Sequence, residues 1–325
     1  MNKKILSLSI VCALSLCSCS SKNSISKDKV PNNAISTSVS ENNNEEDGIV
    51  EDKEIESSNI QNNSLNKNTE PTKEQQNNTD NNSTLRNLDI SKLDKAEKNW
   101  FFQPKKNNEP SGEPQDILNL INKHSAYYLG DTSKKVLFLT FDEGYENGYT
   151  PKILDVLKEN NVKAAFFVTT PYIKSNRELI KRMDDEGHLV CNHSTSHPSM
   201  AAVAAKDSSK FEKEFYVTEK AYEEVTGKKM PKFFRPPMGK YSELSLYYTQ
   251  KLGYKTIFWS SAYHDWDVNN QPPLQNAKKT IMERTHNGGI ILLHAVSKTN
   301  TEILDSVIKE WKNNGYQLES LDKLS

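Results

Sequence analysis

The chain has 325 residues, with 42 Lys and Arg against 43 Asp and Glu, so its formal net charge is −1. This balance argues against a generally basic surface, and no nucleic-acid partner is expected. Of the 4 Cys, only Cys191 lies beyond the first 19 residues, so the folded part cannot form an internal disulfide. Its core must be held together by packing, which a domain of this length allows.

The N-terminus has the pattern of an export signal. Two lysines precede an apolar segment, residues 5–16, that is too short to span a bilayer. Small residues before Cys19, with Leu16 three places ahead, resemble a bacterial lipobox. Residues 1–19 would then be a lipoprotein signal, and Cys19 the lipidated first residue of a membrane-anchored protein facing the cell wall. An ordinary cleaved signal and an uncleaved anchor are the alternatives, and all three place the protein outside the cytoplasmic membrane.

Two segments precede the main domain. Residues 20–84 are rich in Asn, Ser, Glu, Lys and Thr, contain no aromatic residue and keep no period of 3.6 or 2. Such a segment cannot bury enough apolar area to offset its ordering entropy, which predicts a disordered tether. Residues 85–135 contain the apolar run Trp100-Phe101-Phe102 and a helical pattern at residues 115–124. We expect this lead-in to pack against the following domain rather than to form one.

From Val136 onward, apolar runs alternate with amphipathic segments. The first run, residues 136–141, is uninterrupted and rich in strand-forming types, as in a strand buried on both faces of a parallel sheet. Regular strand–helix alternation implies such a sheet with right-handed crossovers. Strands are predicted at 136–141, 163–168, 188–192, 232–235, 254–260, 289–294 and 316–318, with helices at 151–160, 176–186, 206–225, 242–252, 273–285 and 299–313.

The number of strands decides between barrel types. Seven strands in roughly 190 residues are fewer than the eight strands and about 250 residues of the usual barrel. The fold class predicted for residues 136–325 is therefore α/β, a distorted (β/α) barrel of about seven strands. A doubly wound open sheet is the alternative.

Titratable residues follow five of these strands, at the end of the sheet where α/β folds place their chemistry. Each has an ordinary structural explanation when taken alone, as a cap or a core residue. Their presence at five strand ends of one rim favours a common site. The two His after the third strand are four residues apart, a spacing typical of divalent metal sites. The residues are Asp142 and Glu143 after the first strand, His193 and His197 after the third, Arg235 at the end of the fourth, Asp265 after the fifth and His294 at the end of the sixth.

Five motifs carry these residues: TFDEG (Thr140–Gly144), HSTSHP (His193–Pro198), RPPMG (Arg235–Gly239), DW (Asp265-Trp266) and LLH (Leu292–His294). In order and spacing they resemble the NodB-homology polysaccharide deacetylases, carbohydrate esterase family four. The longer stretches GYENGYTPKILDVL and FWSSAYHDWDVNNQ resemble the PdaA-type members in particular. Those enzymes of spore-forming bacteria remove the acetyl group of peptidoglycan N-acetylmuramic acid on the way to muramic δ-lactam.

The resemblance implies how an amide would be hydrolysed. Asp142 would be the base that deprotonates the attacking water, held ionised by a charge-assisted hydrogen bond from Arg235. His294 would be the general acid, kept protonated by Asp265. The oxyanion would meet a backbone N–H near Met238, where the wider family has Tyr.

The resemblance also implies a divalent metal ion, with Zn²⁺ expected, bound by His193 and His197. The family's third ligand is an Asp; here that position is Glu143, and PdaA-type members have Asn. The extra methylene of Glu moves the carboxylate outward by about 1.5 Å. We expect Glu143 to coordinate; otherwise it points to solvent and the two His bind metal weakly. Cys191 is expected in the core rather than at the metal.

The expected partner is the glycan strand of peptidoglycan, acted on by a monomer. Tyr145 and Trp266 are candidate sugar-stacking surfaces, with buried packing as the alternative for each. Two other functions remain open. One is a deacetylase of N-acetylglucosamine residues or of another wall glycan. The other is a non-catalytic sugar- or metal-binding surface lipoprotein, which would not need the Asp–Arg and Asp–His pairs.

Overall fold

The computed structural model describes residues 89–105 and 107–324. The predicted lipoprotein signal, the lipidation of Cys19 and the disordered tether lie outside the described residues. None of the described helices is both long and apolar enough to cross a membrane. The strands are β1 (Lys98–Asn99), β2 (Ala126–Tyr127), β3 (Val136–Glu143), β4 (Ala165–Val168), β5 (Leu189–Asn192), β6 (Phe233–Phe234), β7 (Lys240–Tyr241), β8 (Lys255–Ile257), β9 (Gly289–His294) and β10 (Gln317–Leu318). The helices are α1 (Gln115–Lys123), α2 (Thr150–Glu159), α3 (Thr170–Ser175), α4 (Arg177–Asp185), α5 (Met200–Lys206), α6 (Ser208–Thr226), α7 (Glu243–Lys251), α8 (Leu274–Glu283) and α9 (Lys298–Asn313).

The strands predicted after Val136 all belong to one parallel sheet. Hydrogen-bonded neighbours follow the order β10, β3, β4, β5, β6, β8, and β9 also pairs with β3. The sheet curls back on itself, because the chain beyond β8 bridges to β9 at Ser261 and Ile291. The prediction of a distorted barrel is therefore confirmed over the doubly wound open sheet.

The central strand β3 fixes which side chains reach the inside of the barrel. All 8 of its residues are buried, and its side chains alternate between two faces. Leu139 and Phe141 pack into the apolar cluster under the helices, whereas Phe138 belongs to the cluster inside the barrel. The same alternation directs Asp142 to the inner face and Glu143 to the helix-facing side.

The lead-in is joined to the barrel by two strands that the sequence does not predict. β2 extends the sheet by pairing in parallel with β8, and β1 pairs antiparallel with β7. Trp100, which follows β1, is buried, and its ring stacks on Phe258 with the ring centres 4.2 Å apart. The lead-in is therefore held against β7 by β1 and against the end of β8 by Trp100 and β2.

The prediction lacks two short helices. One is α5, which directly precedes the helix expected at 206–225. The expected helix is observed as α6, and Asp207 between the two is extended and caps α6. Its carboxylate accepts hydrogen bonds from the backbone N–H groups of Ser209 and Lys210, which satisfies two donors of the first turn. The short helix α3, which Thr169 caps, is missing from the prediction.

Candidate active site

Asp142 and Arg235 form a buried ion pair at the carboxyl end of β3. Nη1 of Arg235 donates to Oδ1 of Asp142 at 2.7 Å. Burial raises the pKa of the Asp142 carboxyl, but the charges of Arg235 and His294 outweigh burial and hold this pKa below its ordinary value. Asp142 is therefore a carboxylate at neutral pH, and its Oδ2 lies outside the ion pair.

Arg235 is fixed by contacts with the neighbouring strands. Its side chain is fully buried; Nε donates to the carbonyl of Ile257 at 3.1 Å and Nη2 to that of Phe258 at 3.3 Å. The guanidinium also lies 4.2 Å from the centre of the Phe167 ring, a cation–π distance. Because rotation of Arg235 would leave buried N–H groups unpaired, its orientation toward Asp142 is strongly maintained.

Asp265 and His294 form the second pair. Nδ1–H of His294 donates to Oδ1 of Asp265 at 2.7 Å, and the backbone N–H of His294 donates to Oδ2 at 2.8 Å. Burial lowers the pKa of His294, but the charge and hydrogen bond of fully buried Asp265 outweigh it, so this pKa is raised. Since Nδ1 is occupied by Asp265, Nε2 is the nitrogen available to the cleft that His294 lines.

Asp265 has further partners that the sequence does not single out. The side-chain amide of Asn300 donates to Oδ2 of Asp265, and the hydroxyl of Tyr263 donates to Asn300 Oδ1. Gln271 donates to the backbone carbonyl of Asp265 at 2.7 Å. Asn300 lies in the first turn of α9, where an Asn is ordinarily interpreted as a capping residue. Its position six residues after His294 is the only sequence signal, and it does not indicate a contact with Asp265.

His193 and His197 lie beside Asp142. Nδ1–H of His193 donates to the carbonyl of Arg235 at 2.8 Å, so Nε2 carries the free lone pair, 3.6 Å from Asp142 Oδ2. Burial lowers the pKa of His193 to about 4 and also lowers that of His197, so both imidazoles are neutral at pH 7. Their ring centres are 4.9 Å apart. Two neutral imidazoles at this separation fit the chemistry of a divalent metal ion.

Glu143 does not join these histidines. Its side chain is fully buried on the opposite face of β3, where Thr150 Oγ1 donates to Oε1 at 3.4 Å and Oε2 has no hydrogen-bond partner among the described residues. Burial, helped by the charge of Glu146, raises the pKa of Glu143 well above its ordinary value. Within residues 89–105 and 107–324, no group of three His, Cys, Asp or Glu side chains is arranged to hold a metal. The structure therefore corrects the prediction that Glu143 completes the metal site, and also the alternative that it points to solvent.

The RPPMG motif forms a strained turn at the mouth of the site. Met238 has φ 58° and ψ 12°, a left-handed conformation that costs a non-glycine residue about 1–2 kcal/mol. The next residue, Gly239, is also left-handed with φ 66°. The side chain of Met238 is 53% exposed and lines the cleft. Strain of this kind persists where the surrounding structure holds the backbone in place.

One cleft of about 830 Å³ is bordered by Asp142 and His294, one member of each pair, and by the two His and the turn. Tyr145 and Trp266 lie on its walls and are 53% and 54% exposed, so neither ring is packed in the core. Cys191 is buried inside the barrel, as expected. The cleft is lined by Asp142, Gly144, Tyr145, His193, His197, Met238, Gly239, Trp259, Ala262, Tyr263, Trp266, Asp267, Val268, Leu292, His294 and Val296.

Known proteins are similar to this chain in sequence and in fold. The sequence model of the polysaccharide deacetylase family matches residues 129–257. The peptidoglycan-N-acetylmuramic acid deacetylase PdaA of Bacillus subtilis is 44% identical over 70% of this chain and 85% of its own length. A solved structure of B. subtilis PdaA, a family 4 carbohydrate esterase, matches with a TM-score of 0.68 and 42% identity, over 71% of this chain and 97% of that one. The peptidoglycan-N-acetylglucosamine deacetylase of Bacillus cereus is 29% identical over 70% of this chain and 80% of its own length.

Proposed function

The chain belongs to the polysaccharide deacetylase family, carbohydrate esterase family 4, and from that premise we propose that it removes the acetyl group of N-acetylmuramic acid in peptidoglycan. Two groups on one cleft carry the proposal. Asp142, paired with Arg235, has a lowered pKa, and His294, paired with Asp265, has a raised pKa. The B. subtilis PdaA, named for N-acetylmuramic acid, is also more similar to this chain, at 44% identity, than the B. cereus deacetylase named for N-acetylglucosamine, at 29%.

Asp142 acts as the general base. Arg235 keeps it ionised, and a carboxylate that lines the cleft can take the proton of a water molecule as that water attacks the acetyl carbonyl. The hydrogen bond from Arg235 occupies Oδ1, so Oδ2 is the oxygen that accepts the proton. Two hydrogen bonds to backbone carbonyls fix the guanidinium of Arg235, and its third hydrogen bond holds the Asp142 carboxylate, so Oδ2 stays in one place.

His294 acts as the general acid. Asp265 raises its pKa, so the imidazolium is favoured, and Nε2–H can protonate the leaving amine as the C–N bond breaks. The hydrogen bond to Asp265 holds the ring orientation. The proton taken by Asp142 and the one given by His294 account for both products, acetate and the free amino sugar.

His193 and His197 are the residues that would hold a divalent metal ion, with Zn²⁺ the expected one. When bound, such an ion polarises the acetyl carbonyl and stabilises the negative charge that develops on its oxygen. Among residues 89–105 and 107–324, Glu143 would not contribute to such a site, since its side chain faces away from the two His. A backbone N–H in the turn at Met238 would donate to the same oxygen.

The substrate is a glycan strand of the cell wall. Tyr145 and Trp266 present exposed rings on the cleft, and such rings bind the apolar faces of sugars through stacking. The resemblance to PdaA-type enzymes supports formation of muramic δ-lactam in the spore cortex. A lipid anchor at Cys19 would hold the monomeric enzyme on the outer side of the membrane.

A digestion of purified glycan strands tests the function and its rivals. Peptidoglycan is supplied with and without stem peptides, and released acetate and muropeptide masses are measured for the wild type and for Asp142→Asn. We expect acetate release and loss of one acetyl group from muramic acid with the wild type alone. Loss of acetyl from N-acetylglucosamine would favour the second deacetylase, and glycan binding without acetate release would favour a non-catalytic protein.

A further inference from the structure

The lead-in contacts the strained turn through its backbone. β1 pairs with β7, which directly follows the turn, and the N–H of Trp100 donates to the carbonyl of Gly239 at 2.7 Å. Glu97 pairs with Lys240 of β7 at 2.8 Å. The turn that carries Met238 into the cleft is therefore attached to a segment more than a hundred residues earlier in the chain.

Close packing at Gly239 makes this attachment tight. A Cβ at Gly239 would lie 2.9 Å from Cη2 of Trp259 and 3.1 Å from Cβ of Trp100, so no other residue fits without displacing an aromatic neighbour. Gly239 also has φ 66°, a backbone region in which side chains are strained. Trp100 and Trp259 are thus the two residues that pack against the turn at Gly239.

The side chain of Trp100 also contacts the segment that orients Arg235. Its Nε1–H donates to the carbonyl of Trp259 at 2.9 Å, and its ring stacks on Phe258 at 4.2 Å and 12°. The carbonyl of Phe258 accepts a hydrogen bond from Arg235. One buried residue therefore connects the turn on one side with the support of the Asp142–Arg235 pair on the other.

We infer that Trp100 is a positioning residue of the active site. It does not line the cleft; it holds the turn at Met238 and the end of β8 where the reaction needs them. The inference rests on the proposed deacetylation, and it gives one residue of the lead-in a role in catalysis. Displacement of a positioned group by about 1 Å can reduce the rate on the order of 100-fold.

Steady-state kinetics of acetate release tests this role. We expect kcat to fall about 5-fold in Trp100→Phe, which keeps the stacking and loses the Nε1 hydrogen bond, and about 100-fold in Trp100→Ala. KM should change by less than about 3-fold, since the turn acts on the transition state. Phe101→Ala is the matched control, because this neighbouring ring is 67% exposed, and its kcat should equal that of the wild type. Assays run well below each variant's melting temperature.

Hydrogen–deuterium exchange of the peptide that contains Met238 and Gly239 gives a second measurement that does not require activity. Exchange should be faster in both Trp100 variants and unchanged in Phe101→Ala. Wild-type kcat together with wild-type exchange in Trp100→Phe would overturn the inference, even if Trp100→Ala fails to fold. A loss confined to KM would also overturn it. A wild type that releases no acetate would contradict the proposed function, while the exchange result would still decide whether Trp100 holds the turn.

Discussion

Replacing Glu143 by Gln tests whether its carboxyl is a buried structural group or a metal ligand. The structure gives Glu143 one long hydrogen bond of 3.4 Å and leaves its Oε2 without a partner among the described residues. Because burial raises its pKa well above the ordinary 4.5, the folded protein keeps this proton at pH values where the unfolded chain has released it. The contribution of Glu143 to stability is therefore fully present below about pH 4.5 and is lost as pH rises toward the folded pKa, by about 1.4 kcal/mol per pH unit.

Gln has nearly the same shape and does not ionise, so Glu143→Gln should lose this pH dependence. Urea denaturation at pH 5, 6 and 7 gives the free energy of unfolding, and the difference in favour of Gln should grow with pH, by at most about 1.4 kcal/mol for each pH unit. Glu159→Gln, an exposed change on α2, is the matched control and should retain the wild-type pH dependence. Titration calorimetry with Zn²⁺ should give equal dissociation constants for the wild type and Glu143→Gln. A pH-independent stability difference, or weaker Zn²⁺ binding by the variant, would refute the reasoning.

Three further predictions concern turnover. Asp142→Asn should reduce kcat by about 10²–10⁴-fold with an unchanged circular dichroism spectrum, because the amide cannot accept the proton of water; activity within a few-fold of wild type would show that Asp142 is not the base. Asp265→Asn should move the alkaline limb of the kcat–pH profile to lower pH, because His294 loses the charge that raises its pKa; an unmoved limb would contradict His294 as the acid. A chain that begins at Leu85 should keep the wild-type kcat on soluble glycan fragments, and loss of turnover would show that residues 1–84 contribute to catalysis.

Much of the site could be predicted because a parallel sheet brings its strand ends together. Asp142, Arg235 and His294 are far apart in the sequence, but each lies at or just beyond the carboxyl end of a strand. Once the alternation of strands and helices is recognised, these ends share one rim. The resemblance then supplied roles for residues that composition and spacing alone leave ambiguous.

The error at Glu143 came from where β3 was expected to end. If the strand stops at residue 141, the next two residues can turn to the same side. In the structure β3 continues through Glu143, so strict alternation places Asp142 and Glu143 on opposite faces. The family motif favoured the first arrangement, whereas the continuous pairing of β3 with β4 up to Val168 imposes the second.

Other features depend on contacts that no local pattern reveals. β2 has only two residues and exists because β8, about 130 residues later, offers it an edge. Asn300 has the sequence context of a helix cap, and it contacts Asp265 only because α9 begins directly above the end of β9. Neither residue type nor periodicity distinguishes these contacts from ordinary surface positions.

The arrangement of the two pairs implies that the charges of Asp142 and His294 stabilise each other. Asp142 and His294 are directly opposite each other on β3 and β9, and each charge favours the ionised form of the other. Arg235 lowers the pKa of Asp142 and Asp265 raises the pKa of His294. The carboxylate and the imidazolium therefore coexist over a wide pH range. Neutralising Asp265 should therefore narrow this pH range from its alkaline side, because His294 would lose its proton at lower pH. The acid limb should not rise, because His294 still carries its proton at the lower pH at which Asp142 becomes protonated. An acid limb that moves to higher pH together with the alkaline limb would show that the two groups titrate as one coupled pair.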